Sequence, residues 1–250
     1  KPRKDEPANA LLWHESEEEK QRLYEYCKQD VRTEQAVGTR VLRLRPEEVR
    51  VFHLDAKIND RGVFIDQTLC HYAKAVVNVE MDRLNKKMNA ITGGEVGAAT
   101  NVQQLAQYLE KNGVKTKTVA KDVITDLLIL DIPDKCRAAL EIRQEAAKTS
   151  TAKIDAMLKR RNADGRMRGN VQYHGAGTGR WAARGAQLQN LPRPMLIKGD
   201  GEEFSKNYDF AISNIMVGSN VLLEMLYDRP LTVIADCLRG MITAAPGNEL

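Results

Sequence analysis

Tyr26 and Asp30 stand four positions apart in a stretch with helical periodicity, so their side chains leave one face. That pairing sets a carboxylate able to bind a divalent metal beside a phenol able to orient an attacking water. Two-metal phosphodiester hydrolysis needs further carboxylates, and a chance pair on a solvated helix is the alternative. A second chemistry lies downstream. Residues 148–198 hold eleven Lys or Arg (Lys148, Lys153, Lys159, Arg160, Arg161, Arg166, Arg168, Arg180, Arg184, Arg193 and Lys198) against only Asp155 and Asp164, a formal +9 in a chain whose total is +4. These cations are interleaved with Gly, Asn, Gln and Tyr173, a composition suited to a structured phosphate-binding surface. A solvated charged face would ordinarily intersperse acids with the bases.

The elements that must position these groups are mostly helical. Ser16 is placed to cap a helix over 17–37, with Glu17, Glu18 and Glu19 at its positive end. Residues 51–65 read as extended, with Gly62-Val63-Phe64-Ile65 as a short strand after a turn. Asp66 then opens a long helix in which Leu69, Tyr72, Val76, Leu84, Met88 and Ile91 recur at helical steps, ending at Gly93-Gly94. A shorter helix follows from Thr100 or Asn101 to Lys111, and a third long one runs from Asp134 to about Arg161, so an antiparallel helical stalk is expected. From Asn162 to Pro194 six glycines and the loss of helical periodicity predict strands and close backbone approaches. Helix returns over 209–228 and 230–240, with Pro230 at a start and Gly240 near an end.

Composition excludes several classes. The 250 residues are 42% hydrophobic, enough for a core, and no run reaches the roughly eighteen apolar residues of a bilayer span. Cys27, Cys70, Cys136 and Cys237 form no CxxC pair, which argues against a zinc ribbon or disulfide framework and for a reducing compartment. His14, His53, His71 and His174 are scattered, so any metal must come through carboxylates. An intracellular protein is expected. The first residue, Lys1, and the apolar Leu250 just after the Pro246-Gly247 turn lead to the further expectation of a segment of something longer.

The stretch Tyr173-His174-Gly175-Ala176-Gly177-Thr178-Gly179-Arg180-Trp181, followed by Gln187-Leu188-Gln189-Asn190-Leu191-Pro192, resembles a segment of the family A DNA polymerases. That segment is usually written TGR, a spacer, then NLQN and Ile or Leu before Pro, and the spacing from Thr178 to Pro192 matches without a gap. Trp181 resembles bacteriophage members more than bacterial polymerase I. Tyr26-Cys27-Lys28-Gln29-Asp30 resembles the YxxxD third motif of the proofreading exonuclease, and the stretch from Cys237 to Gly247 resembles the approach to the first catalytic palm motif.

The resemblance implies an α+β fold: the end of an RNase H-like 3′-5′ exonuclease domain at 1–50, a helical thumb at 51–161, and at 162–250 the start of an antiparallel-sheet palm that stops before its first catalytic motif. It implies part of a Mg2+-dependent, DNA-directed DNA polymerase acting on primer-template DNA and deoxynucleoside triphosphates. Arg180 would be the primer-terminus minor-groove residue, with Gln189 and Asn190 lining the duplex and Gln187 standing where many relatives have Asn. Minor-groove acceptors sit in nearly equivalent places for every base pair, so such donors grip DNA without reading sequence. Lys148, Ser150 and Lys153 resemble thumb residues that hold phosphates, with Thr149 and Thr151 adding hydroxyls, and Arg166 joins the DNA-binding set. Tyr26 and Asp30 would be an exonuclease remnant, Asp30 its metal ligand. The family's other exonuclease carboxylates have no counterpart before Tyr26 and its polymerase carboxylates lie beyond Leu250, so the segment alone is expected to be inactive. A monomer in the cytoplasm of a bacterial host, with no membrane association, completes the expectation. The alternatives are a non-catalytic nucleic-acid-binding module and a stand-alone 3′-5′ exonuclease.

Overall fold

The computed structural model describes residues 16–147 and 151–247 and divides into two compact units, Lys1–Val51 and Phe52–Leu250. In the first unit α1 (Glu17–Gly38) begins as expected: Ser16 Oγ accepts from the Glu19 N–H at 3.3 Å, and three glutamates occupy the first turn. Lys20–Glu17 and Lys28–Glu25 ion pairs lace its surface at i,i+3 spacing. No residue of α1 is buried.

α2 (Pro46–Arg61) replaces most of the expected extended run. Val51, Phe52 and Ile58 are strand-favouring types, but Pro46 fits a first helical turn, Glu47 and Glu48 complement its dipole, and no glycine intervenes before Gly62. The strand survives as β1 (Val63–Phe64), antiparallel to β2 (Arg166–Met167), with Val63 opposite Met167 and Phe64 opposite Arg166. Ile65 bridges Ile242 beyond it, so residues distant in sequence meet across a small sheet floored by the fully buried Ile65 and Met167.

Asp66 caps α3 (Gln67–Ile91) by accepting from the Leu69 N–H at 2.9 Å. Leu69, Val76, Leu84 and Met88 are buried as their spacing predicts, while Tyr72 stays exposed. Then come α4 (Val102–Lys111), capped by Asn101, and α5 (Lys121–Ile129). The single helix expected over 134–161 is two, α6 (Asp134–Ala146) and α7 (Ala152–Arg160). Thr151, the residue just before α7, is β-branched and of a type whose hydroxyl competes with helical backbone bonds. The helix expected over 209–228 likewise divides into α8 (Gly201–Val217) and α9 (Asn220–Tyr227), because Gly218 is left-handed and Ser219 caps the second piece. Pro230 opens α10 (Pro230–Asp236), and a 3-10 turn over Cys237–Met241 follows. Instead of a two-helix stalk, α3 lies at the centre of a layer, packing against α6, α7, α8, α9 and α10.

One polar network crosses this apolar layer. Glu80 on α3 is fully buried and accepts from Arg83 Nε and Nη2 at 2.9 and 2.7 Å, while Arg83 Nη1 reaches Glu224 on α9 at 2.8 Å. The Asn220 amide donates to Glu80 at 3.3 Å.

Cys70, Cys136 and Cys237 are buried, and burial raises all three thiols, those of Cys70 and Cys237 to about 12; Cys27 is exposed. A thiol-exchange reagent at pH 8 is therefore expected to modify Cys27 in the native chain and spare the other three until denaturant is added. Fast labelling of Cys70 or Cys237, read by peptide mapping, would contradict the burial.

Candidate nucleic-acid interface

β3 (Val171–Gln172) and β4 (Ala182–Ala183) form an antiparallel hairpin, Val171 opposite Ala183 and Gln172 opposite Ala182. Its base is held by α2: the Asn59 side-chain amide donates to Val171 O at 2.9 Å and accepts from Val171 N–H at 3.1 Å, which imitates a neighbouring strand. Arg184 donates to Gln172 Oε1 across the hairpin at 2.9 Å, and its own N–H donates to Asn170 O at 2.8 Å.

The loop between the strands carries Thr178, Gly179 and Arg180. Gly175 N–H bonds to Gln172 O, Ala176 N–H to Arg180 O and Gly179 N–H to Ala176 O, so the loop is closed by its own backbone. Gly179 has φ +79°, and a Cβ there would lie 3.1 Å from the His174 ring. His174 leans on Tyr173 with centroids 5.3 Å apart, and Tyr173 meets the Phe52 ring of α2 edge-on at 5.8 Å. The outcome is an Arg180 whose side chain is exposed, with no hydrogen-bond or ion-pair partner of its own among the described residues, next to Trp181, which is 42% exposed.

After β4 the chain passes Gly185 and the buried Ala186 into a 3-10 turn, Leu188–Asn190. Gln187 adopts φ +51°; its carbonyl accepts from the Asn190 N–H at 2.9 Å and its Oε1 from Asn190 Nδ2 at 3.3 Å. Leu191 is buried, and Arg239 holds the Leu191 and Pro192 carbonyls at 3.1 and 3.3 Å. Gln187, Gln189 and Asn190 remain exposed on this anchored turn. A cavity of about 480 Å³ lies beside it, lined by Lys153, Ala156, Gly185, Gln187, Asn190 and Pro192 among others.

The basic window is less uniform than its count implies. Lys153 Nζ donates to Ala186 O at 2.9 Å and lies 3.4 Å from Gln187 O, and burial lowers its pKa. Arg166 reaches the Gly62 and Arg61 carbonyls at 3.4 and 3.5 Å. Arg160 donates to Arg168 O and Gly169 O, Arg161 to Gln67 and Leu158 O, and Arg168 to Asp60 O and Asp164. Lys159, Arg180, Arg193 and Lys198 are the exposed cations whose side chains have no partner among the described residues. Lys148 and Ser150 lie outside the described residues.

Arg168 also sets an acid-sensitive contact. Its hydrogen bonds at 2.6 and 3.0 Å hold the Asp164 carboxyl down at about 2, helped by the Arg166 N–H. The folded value lies below the ordinary 3.8, so the stabilisation is present above that pH and is lost as pH falls toward 2. Asp164→Asn is expected to flatten the acid limb of a melting-temperature profile over that interval. An unaltered limb would remove the pair from the account.

Arg143 lies outside the window that starts at Lys148. Its Nε is buried with no partner, burial lowers its pKa, and it borders a cavity of about 510 Å³ shared with Lys121 and Arg229. Only its helical position on α6, one turn before the basic window, could have marked it.

Tyr26 and Asp30 both lie on α1, one turn apart and exposed. Among the described residues no three His, Cys, Asp or Glu side chains converge as a metal cluster. No helix among them is long and apolar enough to cross a membrane.

No protein-family model matches the chain, and no solved structure matches it. It is similar to a DNA polymerase of Bacillus phage SP02, with 34% identity over 227 residues. The match covers 90% of this chain and 33% of that protein, so the chain spans about a third of the length of the curated relative it matches.

Proposed function

We propose that this chain is part of a DNA-directed DNA polymerase of family A, and that its role there is to grip primer-template duplex. Residues 51–161 serve as the thumb and the segment from 162 begins the palm. The observation that carries the reading is the set of exposed donors, Arg180, Gln187, Gln189 and Asn190, held outward on a loop and a turn whose own backbones are internally bonded or tied to α2, α7 and Arg239. Similarity to a phage DNA polymerase over most of the chain supports it. Donors of this kind meet the N3 and O2 acceptors common to all base pairs, while the exposed Lys159 and Arg193 supply charge toward phosphates.

In this reading Tyr26 and Asp30 belong to the third motif of a proofreading exonuclease. The parent enzyme uses Mg2+ and deoxynucleoside triphosphates; Asp30 serves the exonuclease metal, and the polymerase metal is held by other carboxylates. The test is fluorescence anisotropy of labelled DNA with this 250-residue chain over a salt series. Tighter binding of primer-template duplex than of single strands, weakening as salt rises, is the expected result, because released counterions report phosphate contacts. A folded chain with no duplex affinity at low salt would overturn the gripping role.

A further inference from the structure

α7 turns two cations inward. Lys153 and Arg160 are seven residues apart, close to two helical turns, so they share a face. Arg160 Nη2 donates to Arg168 O and Gly169 O, each at 3.2 Å, where the chain enters the β3–β4 hairpin. Lys153 Nζ bonds to Ala186 O at 2.9 Å, with Gln187 O at 3.4 Å, where the chain leaves it. Gly185 completes the fit: it has φ +64°, and a Cβ there would lie 2.2 Å from Arg160 Nε, so the strand exit passes directly over the guanidinium. Ala152 and Ala156, small residues on the same helix, line the cavity between helix and turn.

We propose that Lys153 and Arg160 are positioning residues that clasp both ends of the 168–187 segment to α7, so that Gln187 and Asn190 are presented as one body with that helix. The proposal rests on the duplex-gripping reading for its functional meaning. A lysine serving as a phosphate contact would hold its ammonium in solvent; this one is half-buried against two carbonyl oxygens that would otherwise lack it as a donor. Loosening the clasp frees the Gln187–Asn190 turn without removing a phosphate contact.

Lys153→Met keeps the aliphatic stem and deletes the ammonium. Two readouts are taken on the full 250-residue chain: amide hydrogen exchange at Asn190 and Leu191, whose N–H groups close the turn, and duplex affinity over a salt series. Expected are exchange faster by about tenfold at those two amides with the α3 amides unchanged, affinity lower by several-fold, and an unchanged slope of log affinity against log salt. Lys153→Arg, which retains a donor, is expected to restore much of the protection. A slope reduced by about 0.9 with exchange unaltered would make Lys153 a phosphate contact and overturn the clasp. Unaltered exchange and slope together would overturn it as well. If Lys153→Met loses the α3 protection and so fails to fold, Arg160→Met is read by the same two measurements at the other end of the segment. Absence of duplex affinity in the parent chain would end the gripping reading, while the exchange arm would still decide the clasp.

Discussion

Arg83→Met is expected to lower the unfolding free energy by about 3–5 kcal/mol, the range for breaking a buried ion pair from one side. Glu80 has no exposure, and after the substitution its carboxylate would keep only the Asn220 amide at 3.3 Å. The Arg83–Glu224 arm contributes little, because the Glu224 side chain is 42% exposed and well solvated. Methionine retains the stem volume, so the loss reports the stranded charge rather than a cavity. The companion measurement is Glu80→Met combined with Arg83→Met. Replacing both partners by apolar groups removes the desolvation penalty together with the attraction, and the double variant is expected to recover most of the stability, as buried pairs replaced by packed apolar residues do. Urea unfolding, with the slope checked for constancy, reads both. A single-variant loss near the 0.5 kcal/mol of an ordinary surface change would show that Glu80 does not depend on Arg83.

That network was invisible in the sequence, whereas the helix it belongs to was plain. Asp66, Ser16 and Asn101 announced helix starts because capping is chemistry local to three or four residues, and each caps through its side chain. The reading failed where local preference and tertiary context disagreed. Val51, Phe52 and Ile58 favour strands, yet the proline and glutamates before them start a helix. The candidate site divides along the same line. Arg180, Gln189 and Asn190, which the motif singled out, are exposed. Which of the eleven cations are available was not legible, because composition counts charges and not the carbonyl oxygens that folding brings to them. Arg166 meets carbonyls more than a hundred positions away, and Asn59 finds Val171 across a similar separation. Nothing in the window 148–198 could show that Asn59, Asp60 and Arg61 at the end of α2 would meet it.

Arg180→Ala is expected to weaken primer-template binding by roughly tenfold to a hundredfold, the equivalent of the 1.5–3 kcal/mol typical of a hydrogen bond from a charged donor. The side chain is exposed and unpaired, on a loop whose closing bonds are all backbone, so its removal should leave both the loop and the melting temperature unchanged. The loss should also be the same whichever base pair ends the primer, since the minor-groove acceptors of A·T and G·C pairs lie in nearly equivalent places. A 3-deazapurine at the primer terminus removes the N3 acceptor while keeping base pairing. On that DNA the wild-type chain should bind as weakly as Arg180→Ala binds normal DNA, and the variant should lose nothing further, because two deletions of one contact do not add. Additive losses would place the Arg180 contact on a phosphate instead. Losses that vary with the terminal base pair would make it a sequence reader and overturn the proposed gripping role.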